Sequence, residues 1–283
     1  MDNNTIQYKQ ELRQRLLSDV AYLCTRDDLT WVSPIVKFLL IIREYGLKAV
    51  FFGGTLRSLI MNRILNKRGI GRPRDIDIVV SDINIGELRK VFRAFIIKET
   101  RFGGLHLQNE FWQYDIWPLN STWSFINSNI HNPSFYDLPK TTFLNIESIA
   151  VDVWSKPGLA RTIYENELFY DSIINRKIEI NNIDNPYPSL CVIRSLVMIK
   201  KTGFSIGNRL KDYLIEYGSI MSDTDIINTQ MKHYGSLNIN VEDFKRYIKS
   251  ITRHRNTNST ISLKESLCNK CDMRANNNVY VQR

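Results

Sequence analysis

Two aspartates one residue apart, Asp75 and Asp77, sit in the otherwise apolar run "RDIDIVV" (residues 74–80). In a β-strand alternate side chains share a face, so both carboxylates project to one side while Ile76 and Ile78 go to the core. Like charges at that spacing repel. A divalent cation removes the cost, because Mg²⁺ takes hard oxygen ligands, commonly one or two carboxylates plus substrate phosphates. Asp115, in "QYDIWPL", ends a second strand-like run, and a neighbouring strand would bring it to the same ion. Three carboxylates on adjacent strands suit two-metal phosphoryl transfer: one metal lowers the pKa of an attacking hydroxyl, the other steadies a triphosphate and its leaving pyrophosphate. The same alternation, taken alone, also describes a strand end whose acids face water.

Groups suited to phosphate lie just upstream. Gly53 and Gly54 close one strand-like run and open a helical one, so backbone N–H groups and a positive helix terminus could receive a phosphate. Arg57, one turn further, offers a forked donor. Lys67, Arg68, Arg72 and Arg74 crowd the Gly/Pro-broken stretch before the acids, where they could hold triphosphate or an RNA backbone, or simply face solvent. Arg74 could equally neutralise Asp75 in an empty site.

Certain elements must position these groups. "YKQELRQRLLSDVAYLC" and "SPIVKFLLIIREYG" carry helical spacing, then come a strand in "KAVFFGG", a helix in "TLRSLIMNRIL" and the strand "DIDIVVS". "INIGELRKVFRAFI" reads as helix, and "FGGLHLQNEFWQYDIWPL" as two strands. "ESIAVDVW" and "RKIEIN" read as further strands and "YENELFYDSI" as a helix. After "NPYP" the texture changes to four successive helical stretches. The pattern predicts an α+β domain over residues 1–185 and an all-helical one over 186–283, with a poorly ordered tail from about residue 257.

The chain has 283 residues with 43% hydrophobic content, enough for one large domain or two smaller ones. Its 38 Lys+Arg against 29 Asp+Glu leave a formal charge of +9, which favours a polyanionic partner. No apolar run approaches a bilayer span and the N-terminus lacks a secretory apolar core, so no membrane partner and a cytoplasmic location are expected. Cys24, Cys191, Cys268 and Cys271 are too scattered for a disulfide scaffold; Cys268 and Cys271 have the spacing of half a zinc site without a visible second half. His106, His131, His233 and His254 show no pairing pattern and read as structural or surface residues. Trp112, Trp117, Trp123 and Trp154 read as core, and "FKRYIKSITRHR" (244–255) as a basic, aromatic helix face that is either an RNA surface or merely solvated.

The combination of "GGTLRSLI", a basic loop, "RDIDIVV" about twenty residues on and a later strand acid resembles the head of the DNA polymerase beta superfamily of nucleotidyltransferases. It is most similar to the branch of tRNA CCA-adding enzymes and bacterial poly(A) polymerases, whose GGxxRDxLL turn and DxD strand are matched by Gly53, Gly54, Arg57, Leu59, Asp75 and Asp77. "NPYPSLCVIRSLVMIKKTGF" resembles that branch's neck helix, with Arg194, Gly203 and Phe204 in register. The resemblance spans roughly residues 48 to 215. It implies a five-stranded mixed sheet with flanking helices, two Mg²⁺ ions on Asp75, Asp77 and Asp115, an NTP held by Gly53, Gly54, Arg57 and Arg74, and Arg194 near the base. It also implies transfer of a nucleoside monophosphate to the 3′ end of an RNA such as tRNA. The sequence departs from the branch where Ser58 replaces the acid after Arg57, where Thr141, Thr142 and Phe143 stand near the place of the base-reading RRD motif, and where Cys191 replaces a neck arginine. A protein or small-molecule acceptor, or a binding module without catalysis, are the alternative expectations.

Overall fold

The computed structural model describes residues 3–25, 34–64, 73, 75–100, 102–108, 112–155 and 158–254. Lys67, Arg68, Arg72, Arg74, Cys268, Cys271 and the tail from residue 257 lie outside the described residues. Helices α1 (Asn3–Thr25) and α2 (Pro34–Glu44) precede strand β1 (Ala49–Phe52), helix α3 (Gly54–Ile64), strand β2 (Ile76–Val80) and helix α4 (Ile85–Phe92). There follow β3 (Ile96–Glu99), β4 (Leu105–Gln108), β5 (Gln113–Pro118), α5 (Trp123–Asn127), β6 (Ile149–Asp152), β7 (Ile163–Glu165) and α6 (Glu167–Ile174). The remainder is β8 (Lys177–Ile178), α7 (Pro188–Thr202), β9 (Ser205–Ile206), α8 (Asn208–Gly218), α9 (Asp223–Tyr234) and α10 (Val241–Arg253). The chain divides into two compact units, one of residues 1–174 with 181–184, the other of 175–180 with the chain from Asn185 onward.

The first unit is built on a mixed sheet of seven strands in the order β3-β4-β5-β2-β1-β6-β7. It is wider than the five strands expected. "INIGELRKVFRAFI" leaves the helix after Phe92, and Ile96–Glu99 pairs with β4 at one edge, while Ile163–Glu165 pairs with β6 at the other. Such short edge strands owe their form to a partner rather than to local propensity. β2 and β5 are parallel, and a parallel neighbour requires a crossover, supplied here by α4 and the β3–β4 hairpin. On one face Val50, Val79 and Ala150 pack with Leu119, Phe125, Phe135 and Leu138, with Phe52, Trp117 and Tyr164 partly buried around them. At the alternate positions Phe51, Ile78, Ile116 and Val151 are fully buried. Each such side chain contributes about 1.5–3 kcal/mol of burial. Leu12, Leu16, Val20 and Leu23 form the buried stripe of α1, which packs on α3 and α6.

The second unit is helical, with β8 and β9 as a small parallel pair. Pro188 opens α7 and Gly203, at φ +69°, closes it in the left-handed conformation that glycine tolerates. Ser222 and Asp225 form a reciprocal capping box on α9, and Asn240 accepts from the Asp243 N–H at the start of α10. The buried Gln230 amide is fully used: Nε2 donates to the Ile226 and Ile239 carbonyls, and Oε1 accepts from the Asn238 and Ile239 N–H groups. In α10, Phe244, Tyr247, Ile248 and Ile251 are buried at positions i, i+3, i+4 and i+7. Its aromatic residues therefore belong to the core and are not available to stack on bases. Of its cations, Lys245 pairs with Asp223 at 2.6 Å and Arg246 with Asp243, while Lys249 and Arg253 are exposed.

Candidate active site

Parallel pairing of β2 with β5 sets Asp77 directly opposite Asp115, on the sheet face that carries Val79 and Trp117. The two acids are distant in sequence and neighbours in register. Asp75 lies just before β2 and is half-buried. Desolvation by burial, then the charges of Asp75 and Asp115, hold the Asp77 carboxyl well above the usual carboxylate range; Arg57 opposes this and Glu147 adds to it. Among the described residues no hydrogen bond or ion pair reaches the Asp77 carboxylate.

Helix α3 starts against this pair. Thr55, fully buried in its first turn, accepts from the Asp77 N–H at 2.8 Å and faces the Asp75 carbonyl at 3.5 Å, tying the helix N-terminus to the acidic strand. Gly53 takes a φ of +48°, and its N–H is spent on the Ile149 carbonyl at 3.1 Å. Gly53 thus shapes the turn rather than offering a donor. Gly54 makes the approach possible: a Cβ there would lie 2.9 Å from Asp77 Oδ2 and 3.6 Å from Arg57 Nη2. Arg57 is paired with Glu147, a buried acid in a one-turn 3₁₀ helix, Asn145–Glu147. Ser58 donates to the Gly54 carbonyl at 2.8 Å, an intrahelical bond.

Sequence reasoning missed three members of this site. His106, read above as structural or surface, places Nδ1 2.7 Å from Asp115 Oδ1, because β4 runs antiparallel to β5 with the two residues in register. The alternation in "GLHLQ" carried that signal, since it sends His106 to one face between two core leucines. Glu147 and Thr55 had no comparable signal. Thr142 and Phe143, near the expected base-reading motif, are buried, and Asn181 Nδ2 donates to the Thr142 carbonyl at 3.0 Å, so this segment is packed rather than presented. Arg194 is half-buried on α7 in the second unit, with partners of its own.

The site gathers four acids, Asp75, Asp77, Asp115 and Glu147, around one arginine already paired. Among the described residues no three His, Cys, Asp or Glu side chains form a ready-made metal cluster. The donor chemistry nevertheless fits a divalent cation: hard carboxylate oxygens outnumber the local positive charge, and the neighbouring Asp75 and Asp115 charges add to the desolvation that raises Asp77.

No protein-family model matches this sequence, and no curated protein matches it. Solved structures do. A CCA-adding enzyme solved with CTP superposes with a TM-score of 0.55 at 14% identity, over 94% of this chain and 63% of that one. The Thermotoga maritima CCA-adding enzyme, solved with its tRNA, gives 0.54 at 16% identity over 93% and 62%. A tRNA nucleotidyltransferase solved with a primer tRNA and an ATP analogue gives 0.52 at 16% over 83% and 68%. A tRNA-processing enzyme in its apo form gives 0.52 at 16%, with this chain spanning 64% of its length. The chain has the fold of the CCA-adding tRNA nucleotidyltransferases and diverges widely from them in sequence.

Proposed function

We propose that this protein is a Mg²⁺-dependent nucleotidyltransferase that moves a nucleoside monophosphate from an NTP to the 3′ hydroxyl of an RNA, with tRNA the favoured acceptor. The acceptor oxygen bonds to the α-phosphorus, the bond to the bridging oxygen breaks, pyrophosphate leaves and the hydroxyl gives up its proton. The observation that carries this reading is the parallel register of Asp77 with Asp115, on a fold whose solved relatives handle NTPs and tRNA.

Asp75, Asp77 and Asp115 would hold the two ions. Bound there, Mg²⁺ supplies positive charge to the triphosphate and lowers the pKa of the acceptor hydroxyl. The protein's own groups orient the rest. Gly54 keeps the ground beside Asp77 open, and Thr55 fixes the acidic strand against the N-terminus of α3, where the helix dipole favours phosphate. His106 holds one oxygen of Asp115 and so fixes the direction of the other. Arg57 shares its charge between Glu147 and the acid cluster, and is proposed to lend part of it to the triphosphate. Arg74 is proposed to reach the triphosphate.

The packed segment around Thr142 and Phe143 favours a second reading, in which the catalytic chemistry is retained and the acceptor is a protein side chain or a small molecule. Incubation with each labelled NTP, Mg²⁺ and total small RNA tests both. RNA labelling that disappears in Asp77→Asn is the expected result. Labelled protein without labelled RNA favours the second reading, and equal labelling by the variant overturns the assignment of the acids.

A further inference from the structure

β1 leads into the acids at one end and into a cleft at the other. Before β1, Gly46 and Leu47 join Arg43, Trp154, Ser155 and Arg161 around an open cleft of about 450 Å³. β6 runs antiparallel to β1, with Val50 opposite Asp152 and the Val153 N–H on the Ala49 carbonyl, and this pairing brings Trp154 to the same end. Four strand residues at ~3.3 Å each put the cleft on the order of 13 Å from Gly53.

Two guanidiniums and an indole wall this cleft. Arg43 Cζ lies 5.7 Å from the centre of the Trp154 ring, and Arg161 Nε donates to the Val153 carbonyl at 3.2 Å. Among the described residues neither arginine pairs with a carboxylate. Arg161 also lies beside Cys24, whose thiol burial pushes up to about 11, so that thiol is neutral near pH 7 and supplies the arginine no counter-charge; the nearby Asp152 carboxylate is engaged by the Thr162 N–H and the Tyr164 hydroxyl. With no carboxylate among the described residues pairing with either of these two cations facing one cleft, an anion between them would relieve their mutual repulsion. Guanidinium forks match phosphate oxygens, the indole adds a flat apolar wall suited to a base or sugar, and the volume is that of a small-molecule site.

We propose that this cleft is a second ligand site, distinct from the acid cluster, that binds a phosphate-bearing molecule, either a free nucleotide or the backbone of an RNA. Protein labelled with ¹⁵N at tryptophan reports on it directly, the Trp154 indole signal being assigned from Trp154→Phe. Titration with orthophosphate, AMP and a short single-stranded RNA should give a saturable shift of that signal with at least one ligand. A shift with orthophosphate or AMP identifies a free-nucleotide pocket; a shift with RNA alone identifies a backbone contact. Arg43→Gln with Arg161→Gln should weaken binding about tenfold or more, and the two Lys replacements should retain part of it. Should the double Gln variant unfold, Arg43→Gln alone, at an exposed position, carries the same expectation at smaller size. Unchanged indole signals of Trp112, Trp117 and Trp123 verify the fold. A Trp154 signal unmoved by all three ligands, or moved equally in the Gln variants, overturns the proposal. Asp77→Asn should titrate like the wild type here, which separates this site from the catalytic reading.

Discussion

Two carboxylates in this molecule each press against a glycine at the start of a helix, and they behave oppositely. In the helical unit a Cβ on Gly207, the N-cap of α8, would lie 2.2 Å from Glu179 Oε2; the Glu179 carboxylate accepts from the Leu210 N–H at 2.7 Å and the Arg209 N–H at 3.3 Å. In the sheet unit a Cβ on Gly54 would lie 2.9 Å from Asp77 Oδ2, yet among the described residues no donor reaches that carboxylate, and its closest charged company is mostly negative. Glycine at a helix start is the same device in both. What differs is the supply of donors: Glu179 completes a helix cap, while the Asp77 carboxylate has no donor among the described residues and favours its protonated form.

The comparison breaks first at activity. Asp77→Asn should abolish nucleotide transfer, a loss of about a thousandfold or more, while Glu179→Gln leaves transfer per folded molecule unchanged. Rates measured on variants of equal helix content decide it. Stability should move the other way. Glu179→Ala should cost about 1–2 kcal/mol by uncapping α8, read as a lower denaturation midpoint. Asp77→Asn should raise the Tm without divalent cation, because it removes a half-buried, desolvated charge that neighbours repel.

pH sharpens the same point. The folded-state pKa of Asp77 is raised, so the folded protein binds a proton there more readily than the unfolded chain. Its contribution is therefore present at acid pH and is lost as pH rises from the ordinary carboxylate value through the elevated one. Thermal melts of wild type against Asp77→Asn should diverge over that window, and Mg²⁺ should narrow the gap at neutral pH. Gly54→Ala comes next, costing about 1–3 kcal/mol through crowding of Asp77 and Arg57, with a larger loss of transfer than Gly207→Ala produces at equal fold. The smallest effect is expected at His106→Asn. Its kcat should fall about tenfold with little change in KM for NTP, if its role is to steady Asp115, the residue it contacts.

Much of this was legible in the chain itself. Alternation read Asp77 onto one strand face, with Asp75 expected beside it but found at the bend before β2; a glycine pair marked the turn into α3, and helical spacing located α1, α2, α3 and the four long helices of the second unit within a few residues. Those signals are local: period two or period 3.6, punctuated by caps and glycines. The sheet edges were not legible, because Ile96–Glu99 and Ile163–Glu165 become strands only by pairing with β4 and β6. Nor was the fate of Arg57, since its partner Glu147 comes from a distant 3₁₀ turn whose sequence shows no charge pattern.

What the sequence determined by itself was which residues could do chemistry and which faces they would take, because side-chain direction follows from the local backbone. The tertiary structure decided which of them meet. It set Asp115 opposite Asp77 through a parallel pairing, gave Asp115 a histidine and Arg57 a glutamate, and sent the aromatics of α10 into the core. Register between strands and charge balance in a buried site depend on residues far apart in the chain, and no local pattern encodes them.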